Sequence, residues 1–255
     1  MNPGYRIVIP ARMASQRLPG KPLLFINGQP LIEHVYRRAM ESSAQSIVIA
    51  TDSAEIQSAA RAFGAEAIMT SQAHESGSDR IAECIDIMAW PDETLVVNLQ
   101  GDEPLMPEAC LDQVAALLHK APDADVASLY WPIESAREVE DPNVVKVVMD
   151  QAGKALYFSR SVIPYPRNSC VGTAMQGGAA WYRHIGLYAY RAGALRGYTA
   201  MSASPLEQLE KLEQLRFLEA GKVIRMEQAC SAIPAGIDTP ADLERVRKLI
   251  SGARD

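Results

Sequence analysis

Three cations crowd a short loop near the start of the chain. Arg12, Arg17 and Lys21 lie within Pro10 to Lys21 (PARMASQRLPGK), a segment that contains Gly and Pro and follows the apolar run Arg6 to Ala11. Positive charge and backbone N–H groups in such a loop suit a polyphosphate. A solvated loop whose cations only maintain solubility has the same composition, so both interpretations stay open. The loop lacks the glycine spacing of a P-loop, and no G-x-G-x-x-G follows a strand, which argues against Walker-type and nicotinamide chemistry.

Two further segments place carboxylates where a strand ends or a helix begins. Asn98 to Pro104 (NLQGDEP) carries Asp102 directly after an apolar run, and Gly236 to Pro240 (GIDTP) carries Asp238 just before a helical pattern. One or two carboxylates with water and phosphate oxygens are what Mg²⁺ prefers. Asp102 can equally stabilise a turn, and Asp238 can equally be an ordinary anion at a helix start. By itself Asp238 favours the second interpretation.

A fourth segment, His74 to Arg80 (HESGSDR), leads into a helical pattern. Its Ser76-Gly77 turn offers N–H groups and a hydroxyl to a base or a phosphate, although many plain helix caps have the same sequence.

The elements that must position these loops alternate between strand and helix. Arg6 to Ala11, Ser46 to Thr51 and Leu95 to Leu99 are short apolar runs rich in β-branched residues, which predicts buried parallel strands. Leu31 to Met40 and Ile81 to Met88 show apolar stripes with helical spacing. The alternation predicts an α/β fold, doubly wound around a mostly parallel sheet, whose ligands bind at the carboxyl ends of the strands.

An antiparallel excursion interrupts this pattern. Val144 to Asp150 and Ala155 to Ser161 flank a turn at Ala152-Gly153, which predicts a hairpin. Residues 167–182 are rich in small residues and Gly without periodicity, so we expect a flexible loop able to order over a ligand. The strand His184 to Arg191 follows. We expect one domain, 1–255, with 144–191 as an inserted hairpin and loop region.

The C-terminal third predicts two capped helices around one strand. Ser204-Pro205-Leu206-Glu207 has the spacing of a capping box, and Gly221 marks the predicted end of that helix. Val223 to Glu227 follows as a strand, and Thr239 precedes the last helix.

Composition narrows the class of protein. The chain has 255 residues, 48% apolar residues and a net charge of -6 without a basic tract, so we expect no nucleic-acid partner. The N-terminal sequence lacks a signal-peptide pattern and no apolar run approaches a membrane span, so we expect a cytoplasmic protein without membrane insertion.

The four cysteines have no C-x-x-C spacing and are interpreted as reduced thiols, with Cys84 and Cys110 as small apolar residues inside helices.

Taken together, these segments resemble the 3-deoxy-manno-octulosonate (Kdo) cytidylyltransferases, also called CMP-Kdo synthetases, whose fold is nucleotide-diphospho-sugar transferase-like. The resemblance runs in order along nearly the whole chain. Its motifs are PARMASQRLPGKPL (10–23), HESGSDRI (74–81), NLQGDEPLMP (98–107), NVVKVV (143–148), LYFSRSVIPYPR (156–167), HIGLYAYR (184–191), SPLEQLEKLEQLR (204–216) and GIDTPADLERVR (236–247).

The resemblance implies an enzyme that joins the CMP half of CTP to Kdo and releases pyrophosphate, with Mg²⁺ as cofactor. It implies a homodimer to which the 144–191 region contributes, and a product that feeds lipopolysaccharide core synthesis. The residues it assigns to nucleotide binding are Pro10, Ala11, Arg12, Arg17, Lys21, Ser76, Arg80 and Gln100. Those it assigns to the sugar are Gln100, Arg160, His184, Tyr188, Glu207 and Glu210. Asp102 and Asp238 are the implied magnesium ligands, and with Arg12 and Lys21 the implied catalytic residues.

Several of these assignments have a plainer alternative. His184 can be an ordinary half-buried histidine, Tyr188 can be core packing, and Glu207 can be only the acid of its capping box. Arg160 has little structural reason to follow an apolar run, and its planar fork suits a sugar carboxylate. Two functional alternatives also stay open: a cytidylyltransferase for amino-Kdo or sialate, and a catalytically silent sugar-nucleotide-binding protein on this fold.

Overall fold

The computed structural model describes residues 4–14, 17–74 and 76–252. Ser15, Gln16 and Glu75, which belong to the motifs above, lie outside the described residues. Within the described part the strands are β1 (Tyr5–Ala11), β2 (Phe25–Ile26), β3 (Gln29–Pro30), β4 (Ser46–Thr51), β5 (Glu66–Met69), β6 (Leu95–Asn98), β7 (Val126–Pro132), β8 (Lys146–Met149), β9 (Ala155–Ser159), β10 (Tyr182–Arg191) and β11 (Ile224–Gln228).

The helices separate most of these strands. They are α1 (Leu31–Met40), α2 (Ala54–Ala62), α3 (Gly77–Ile87), α4 (Glu108–Lys120), α5 (Ala136–Glu140), α6 (Val171–Gln176), α7 (Ala192–Thr199), α8 (Pro205–Glu210), α9 (Gln214–Glu219) and α10 (Pro240–Ser251), with a 3-10 turn at Lys21–Leu23. Each helix in the described ranges is too short or too polar to cross a bilayer.

The central sheet has the strand order β11-β7-β10-β6-β1-β4-β5. β1 pairs in parallel with both β4 and β6, and β7 pairs in parallel with β11. β10 runs antiparallel between β6 and β7. The expected α/β fold with a mostly parallel sheet is therefore confirmed. The C-terminal strand of the 144–191 region is built into the middle of this sheet.

Buried side chains cover both faces of the sheet because its strands are apolar on both sides. Ile7 and Ile9 of β1 face one cluster, which includes Val35 of α1 and Val114 of α4. Val8 of β1 faces the other cluster. The sheet thus forms a rigid base for the loops at its strand ends.

The hairpin β8–β9 is confirmed, but the predicted flexible loop is wrong in part. Residues 171–176 form the helix α6, and Val171 and Trp181 are buried in a small cluster with Ile133 and Val139. The Trp181 indole Nε1 donates to the Pro164 carbonyl at 3.0 Å. Trp181 supplies the apolar surface that orders a segment whose Gly content suggested mobility.

The single helix predicted from Ser204 to Gly221 is also wrong. Its capping box is present, but Lys211 adopts a left-handed conformation with φ 55° and divides the segment into α8 and α9. The final helix begins as predicted, with the Thr239 hydroxyl accepting from the Asp242 N–H.

Candidate active site

A cavity of about 1100 Å³ opens at the carboxyl ends of β1 and β6. Most of its lining belongs to the loops that the sequence singled out. The predicted residues that line it are Pro10, Ala11, Arg12, Arg17, Lys21, Ser76, Arg80, Gln100, Asp102, Tyr188 and Asp238. The structure therefore brings together all the predicted nucleotide-binding and metal-binding residues.

The Lys21 ammonium lies where three of these loops meet. Its Nζ donates to Asp102 Oδ2 at 2.6 Å, to the Ile237 carbonyl at 2.7 Å and to Asp238 Oδ1 at 3.2 Å. Arg17 forms a second ion pair with Asp238 at 3.1 Å. Asp102 and Asp238, 136 residues apart in the sequence (238 minus 102), thus contact the same cation.

Close backbone contacts explain how the two carboxylates converge. A Cβ on Gly101 would lie 2.8 Å from the Pro10 carbonyl oxygen, and one on Gly236 would lie 3.0 Å from the Asp102 carbonyl oxygen. The Ile237 N–H donates to that same Asp102 carbonyl at 2.9 Å. Only glycine permits approaches this close. The cap of α10 is Thr239, so Asp238 is not needed to cap that helix.

A third acid, Glu103, lies beside the two carboxylates that pair with Lys21. Burial, together with Asp102 and Asp238, raises the pKa of Glu103 to about 8. Two carboxylates with room for phosphate oxygens and water match the ligand set of Mg²⁺. Within the described residues no group of three or more His, Cys, Asp or Glu side chains is arranged to hold a metal ion.

The start of α3 forms another wall of the cavity. Ser76 caps the helix by accepting from the Asp79 N–H, and Gly77 places the helix N-terminus against Pro10. Arg80, one turn further on, is 2% exposed and is held by Asp52 Oδ2 at 2.7 Å and Thr70 Oγ1 at 2.5 Å. A fixed guanidinium beside a helix start suits recognition of a polar base or an anion.

An irregularity in β10 faces the cavity. Its register against β7 shifts between Ile185 and Tyr188, where Ser128 Oγ bonds the Ile185 and Leu187 carbonyls. This bulge brings Gly186 and Tyr188 to the cavity wall, a common use of bulges next to functional sites.

His184 precedes the bulge and lies behind the wall. Its ring packs 5.2 Å from the Tyr188 ring and 4.9 Å from the Phe158 ring, and its Nε2 bonds Ser128 Oγ at 3.0 Å. Burial lowers the pKa of His184 to about 3, so the ring is neutral at physiological pH.

The structure does not bring the other predicted sugar residues to the cavity wall. Arg160 Nε donates to the Glu210 carbonyl at 2.7 Å and its Nη1 to the Pro142 carbonyl at 3.0 Å. Glu210 in turn accepts from Ser159 Oγ and from the Arg160 N–H. Glu207 closes its capping box and forms a two-pronged pair with Arg216, with both contacts at 2.6 Å.

The helix break at Lys211 brings a different acid to the cavity. Glu213 and Gln214 line it together with Lys211, whereas Glu207 and Glu210 on α8 do not. Ser78 Oγ donates to Glu213 Oε2 at 2.8 Å, and burial raises the pKa of Glu213. Glu213 and Gln214 were not predicted from the sequence. The segment LEQLEKLEQL (206–215) has a continuous helical composition, and no local signal marks the left-handed Lys211 that precedes these two residues.

Comparison with known proteins places this site in a family. A family model described as cytidylyltransferase matches residues 6–224. The chain is 50% identical over 246 residues to the 3-deoxy-manno-octulosonate cytidylyltransferase of Thioalkalivibrio sulfidiphilus, covering 96% of this chain and 98% of the relative. It is 49% identical over 254 residues to the enzyme of the same description from Halorhodospira halophila, covering 99% of each. The chain belongs to the 3-deoxy-manno-octulosonate cytidylyltransferase family. The resemblance found in the motifs is thus confirmed.

Solved structures agree with this placement. A CMP:2-keto-3-deoxy-manno-octonic acid synthetase complexed with CTP is 43% identical, with a TM-score of 0.90 over 99% of this chain and 100% of the other. A 4-diphosphocytidyl-2C-methyl-D-erythritol synthase, 14% identical, has a TM-score of 0.63 over 98% of this chain and all of the other. That second likeness concerns the fold alone. The cytidylyltransferase family thus has the layered architecture described above.

Proposed function

We propose that this chain carries out the family reaction with its own cavity residues, joining CMP from CTP to Kdo and releasing pyrophosphate. The observation that carries the proposal is the contact of one ammonium, that of Lys21, with both Asp102 and Asp238 inside a large cavity at the strand ends. Cationic groups for a triphosphate and carboxylates for a divalent cation therefore lie in the same place. Open α/β sheets bind their ligands at this edge.

The nucleoside is assigned to the wall formed by β1 and α3. Pro10 and Ala11 offer backbone at the end of β1, and Ser76 stands at the helix start. Arg80, fixed by Asp52 and Thr70, is the group that can read a polar base edge. We expect CTP to be strongly preferred over other triphosphates.

The triphosphate is assigned to the cationic loop, and Mg²⁺ to the two carboxylates. Arg12, Arg17 and Lys21 neutralise phosphate charge, and Lys21 exchanges contacts with Asp102 and Asp238 for contacts with phosphate oxygens. When bound there, Mg²⁺ supplies charge neutralisation at the phosphate oxygens and activation of the attacking hydroxyl.

The main task of the protein in this reaction is to position the two substrates. The C2 hydroxyl of Kdo attacks the α-phosphorus of CTP, and pyrophosphate leaves in line. Both substrates are anions, so Arg12 and Lys21 screen their repulsion and orient the triphosphate. A cavity with fixed charges does this with little reorganisation during the reaction.

The sugar is assigned to the wall between the bulge of β10 and the break at Lys211. Gln100 and Tyr188 are the predicted residues that line this part, and Glu213 and Gln214 join them. Uncharged and acidic acceptors of this kind suit the hydroxyl groups of a sugar. Arg160 remains our proposed ligand for the sugar carboxylate. To reach the sugar it must give up its contacts with the Glu210 and Pro142 carbonyls.

We propose further that the protein acts in the cytoplasm as a homodimer, that its product feeds lipopolysaccharide core synthesis, and that the 144–191 region contributes to the dimer. Leu156 and Tyr165 in that region are exposed apolar side chains, at 58% and 79%. Light scattering on the purified protein tests the dimer, and a monomer at micromolar concentration would contradict it.

A substrate panel tests the proposed function. CTP, UTP, ATP and GTP are each combined with Kdo, amino-Kdo and sialate, and released pyrophosphate is measured. We expect release with CTP and Kdo. Release only with amino-Kdo or sialate would assign the protein to the alternative sugar, and binding of CTP without release in any combination would identify a silent binding protein.

A further inference from the structure

Two cysteines lie in contact outside the cavity. The Sγ atoms of Cys110 and Cys230 are 3.7 Å apart. Cys110 is fully buried in the first turn of α4, and Cys230 is exposed two residues after the end of β11. A disulfide bond measures about 2.05 Å, so the two sulfurs need to approach by less than about 2 Å. Rotation of one side chain covers a distance of that size.

The backbone around Cys230 is already fastened to the helix that carries Cys110. Gln113, three residues after Cys110 on α4, accepts from the Cys230 N–H at 2.8 Å through Oε1. Its Nε2 donates to the Gln228 carbonyl and to Glu227 Oε2, both at 2.8 Å. The Gln113 side chain thus holds the backbone at Gln228 and at Cys230 against the helix that carries Cys110, which keeps the two thiols close together.

The other two cysteines occupy different surroundings. Cys84 is buried in α3. Cys170 is exposed, and its thiol bonds Thr173 Oγ1 at 3.2 Å. Exposure alone therefore does not distinguish Cys230, whereas the neighbouring sulfur of Cys110 does.

We propose that Cys110 and Cys230 form a dithiol site that a hydroperoxide oxidises to a reversible disulfide. The Cys230 thiol first gives its proton to solvent. The thiolate then attacks the terminal oxygen of the peroxide, so that an S–O bond forms and the O–O bond breaks, and the departing oxygen takes a proton from solvent and leaves as an alcohol, or as water in the case of hydrogen peroxide. The sulfur is oxidised to a sulfenic acid and the peroxide is reduced. The Cys110 thiol then attacks this sulfur, the S–S bond forms, the S–O bond breaks, and water leaves with the Cys110 proton.

The site lies between the two segments that carry the cavity carboxylates. α4 follows the turn of Asp102, and the chain after Cys230 leads within eight residues to Asp238. A disulfide would join these two segments covalently, whatever the substrate of the enzyme.

Peptide mapping tests the proposal. Purified protein is treated with excess hydrogen peroxide, free thiols are alkylated, and non-reduced peptides are analysed by mass spectrometry. Burial and the Cys110 thiol raise the pKa of Cys230, so the reaction is run at about pH 9 to increase the thiolate fraction. We expect a 110–230 disulfide within one chain that dithiothreitol reverses. Cys110→Ser should instead trap a dimedone adduct on Cys230, because the resolving thiol is missing.

Cys170→Ser is the matched control, since it removes an exposed thiol and should leave the 110–230 disulfide unchanged. Three results would overturn the proposal: both thiols remaining free in the oxidised wild type, a disulfide that uses Cys170 or joins two chains, or no adduct on Cys230 in Cys110→Ser.

Discussion

The ion pairs around Lys21 predict that Asp238→Asn abolishes most of the turnover at a small cost in stability. The Asp238 side chain is 51% exposed, and its contacts to Lys21 and Arg17 measure 3.2 and 3.1 Å. Exposed ion pairs contribute about 0 to 1 kcal/mol each, and Asp238 forms two, so we expect a loss of less than about 2 kcal/mol in the free energy of unfolding. Loss of one fixed electrostatic contact to the developing charge costs about 100- to 1000-fold in turnover.

Asp102→Asn should lower turnover to a similar extent and stability somewhat more. Asp102 is 29% exposed and lies 2.6 Å from an ammonium that is itself 13% exposed. A hydrogen bond between charged groups in such a setting contributes about 1.5 to 3 kcal/mol. The double variant should be scarcely slower than either single variant, because both carboxylates serve the same step.

The assay is pyrophosphate release under saturating CTP and Kdo, with urea unfolding of each variant alongside. Asp123→Asn is the matched control, because Asp123 is 62% exposed and pairs with Arg225 at 2.9 Å away from the cavity. It should keep wild-type turnover. If Asp238→Asn behaves like Asp123→Asn, Asp238 is an ordinary residue before a helix and the two-carboxylate site is refuted.

Three other predictions concern the cavity wall that is assigned to the sugar and the residues that pack behind it. Arg160→Lys should raise the KM for Kdo more than the KM for CTP, because Lys keeps the charge and loses the two-pronged geometry. Equal changes in the two KM values would show that Arg160 has a structural role. Glu213→Gln should raise the KM for Kdo with little change in stability. Glu207→Gln should lower the free energy of unfolding by about 3 to 5 kcal/mol, because it breaks the buried pair with Arg216, and should leave both KM values unchanged. The reverse pattern would return Glu207 to the sugar site. The pKa of His184 falls from 6.5 to about 3 on folding. Between these two pH values the ring is protonated in the unfolded chain and neutral in the folded one, so the folded state loses stability as the pH is lowered. The free energy of unfolding, measured with urea, should fall by about 1 kcal/mol more per pH unit in the wild type than in His184→Gln between about pH 6 and 4. If the free energies of unfolding of the two proteins fall in parallel with pH, the ring is not buried in its neutral form.

Three of the buried parallel strands were predictable from the sequence, because a strand that is buried on both faces is apolar throughout. The runs 6–11, 46–51 and 95–99 are apolar throughout, and all three became neighbouring parallel strands. Polar loops after such strands must lie at one edge of the sheet. The meeting of Asp102 with the cationic loop followed from that geometry alone.

The parts that were mispredicted depend on contacts between distant residues. Nothing local indicates that Lys211 adopts a left-handed conformation, since the segment around it has good helical residues. Burial of Trp181 orders residues 167–182 through packing that periodicity does not reveal. The position of Glu213 at the cavity wall follows from the first of these, so the local sequence gave no reason to select it.

The measurement that tests the central claim most directly is pyrophosphate release from CTP with Kdo, with and without EDTA, in the wild type and in Lys21→Met. The account predicts rapid release with Mg²⁺, loss of release in excess EDTA that added Mg²⁺ restores, and at least about a 100-fold loss in Lys21→Met. Undiminished release in EDTA, or wild-type turnover in a Lys21→Met protein, would contradict it.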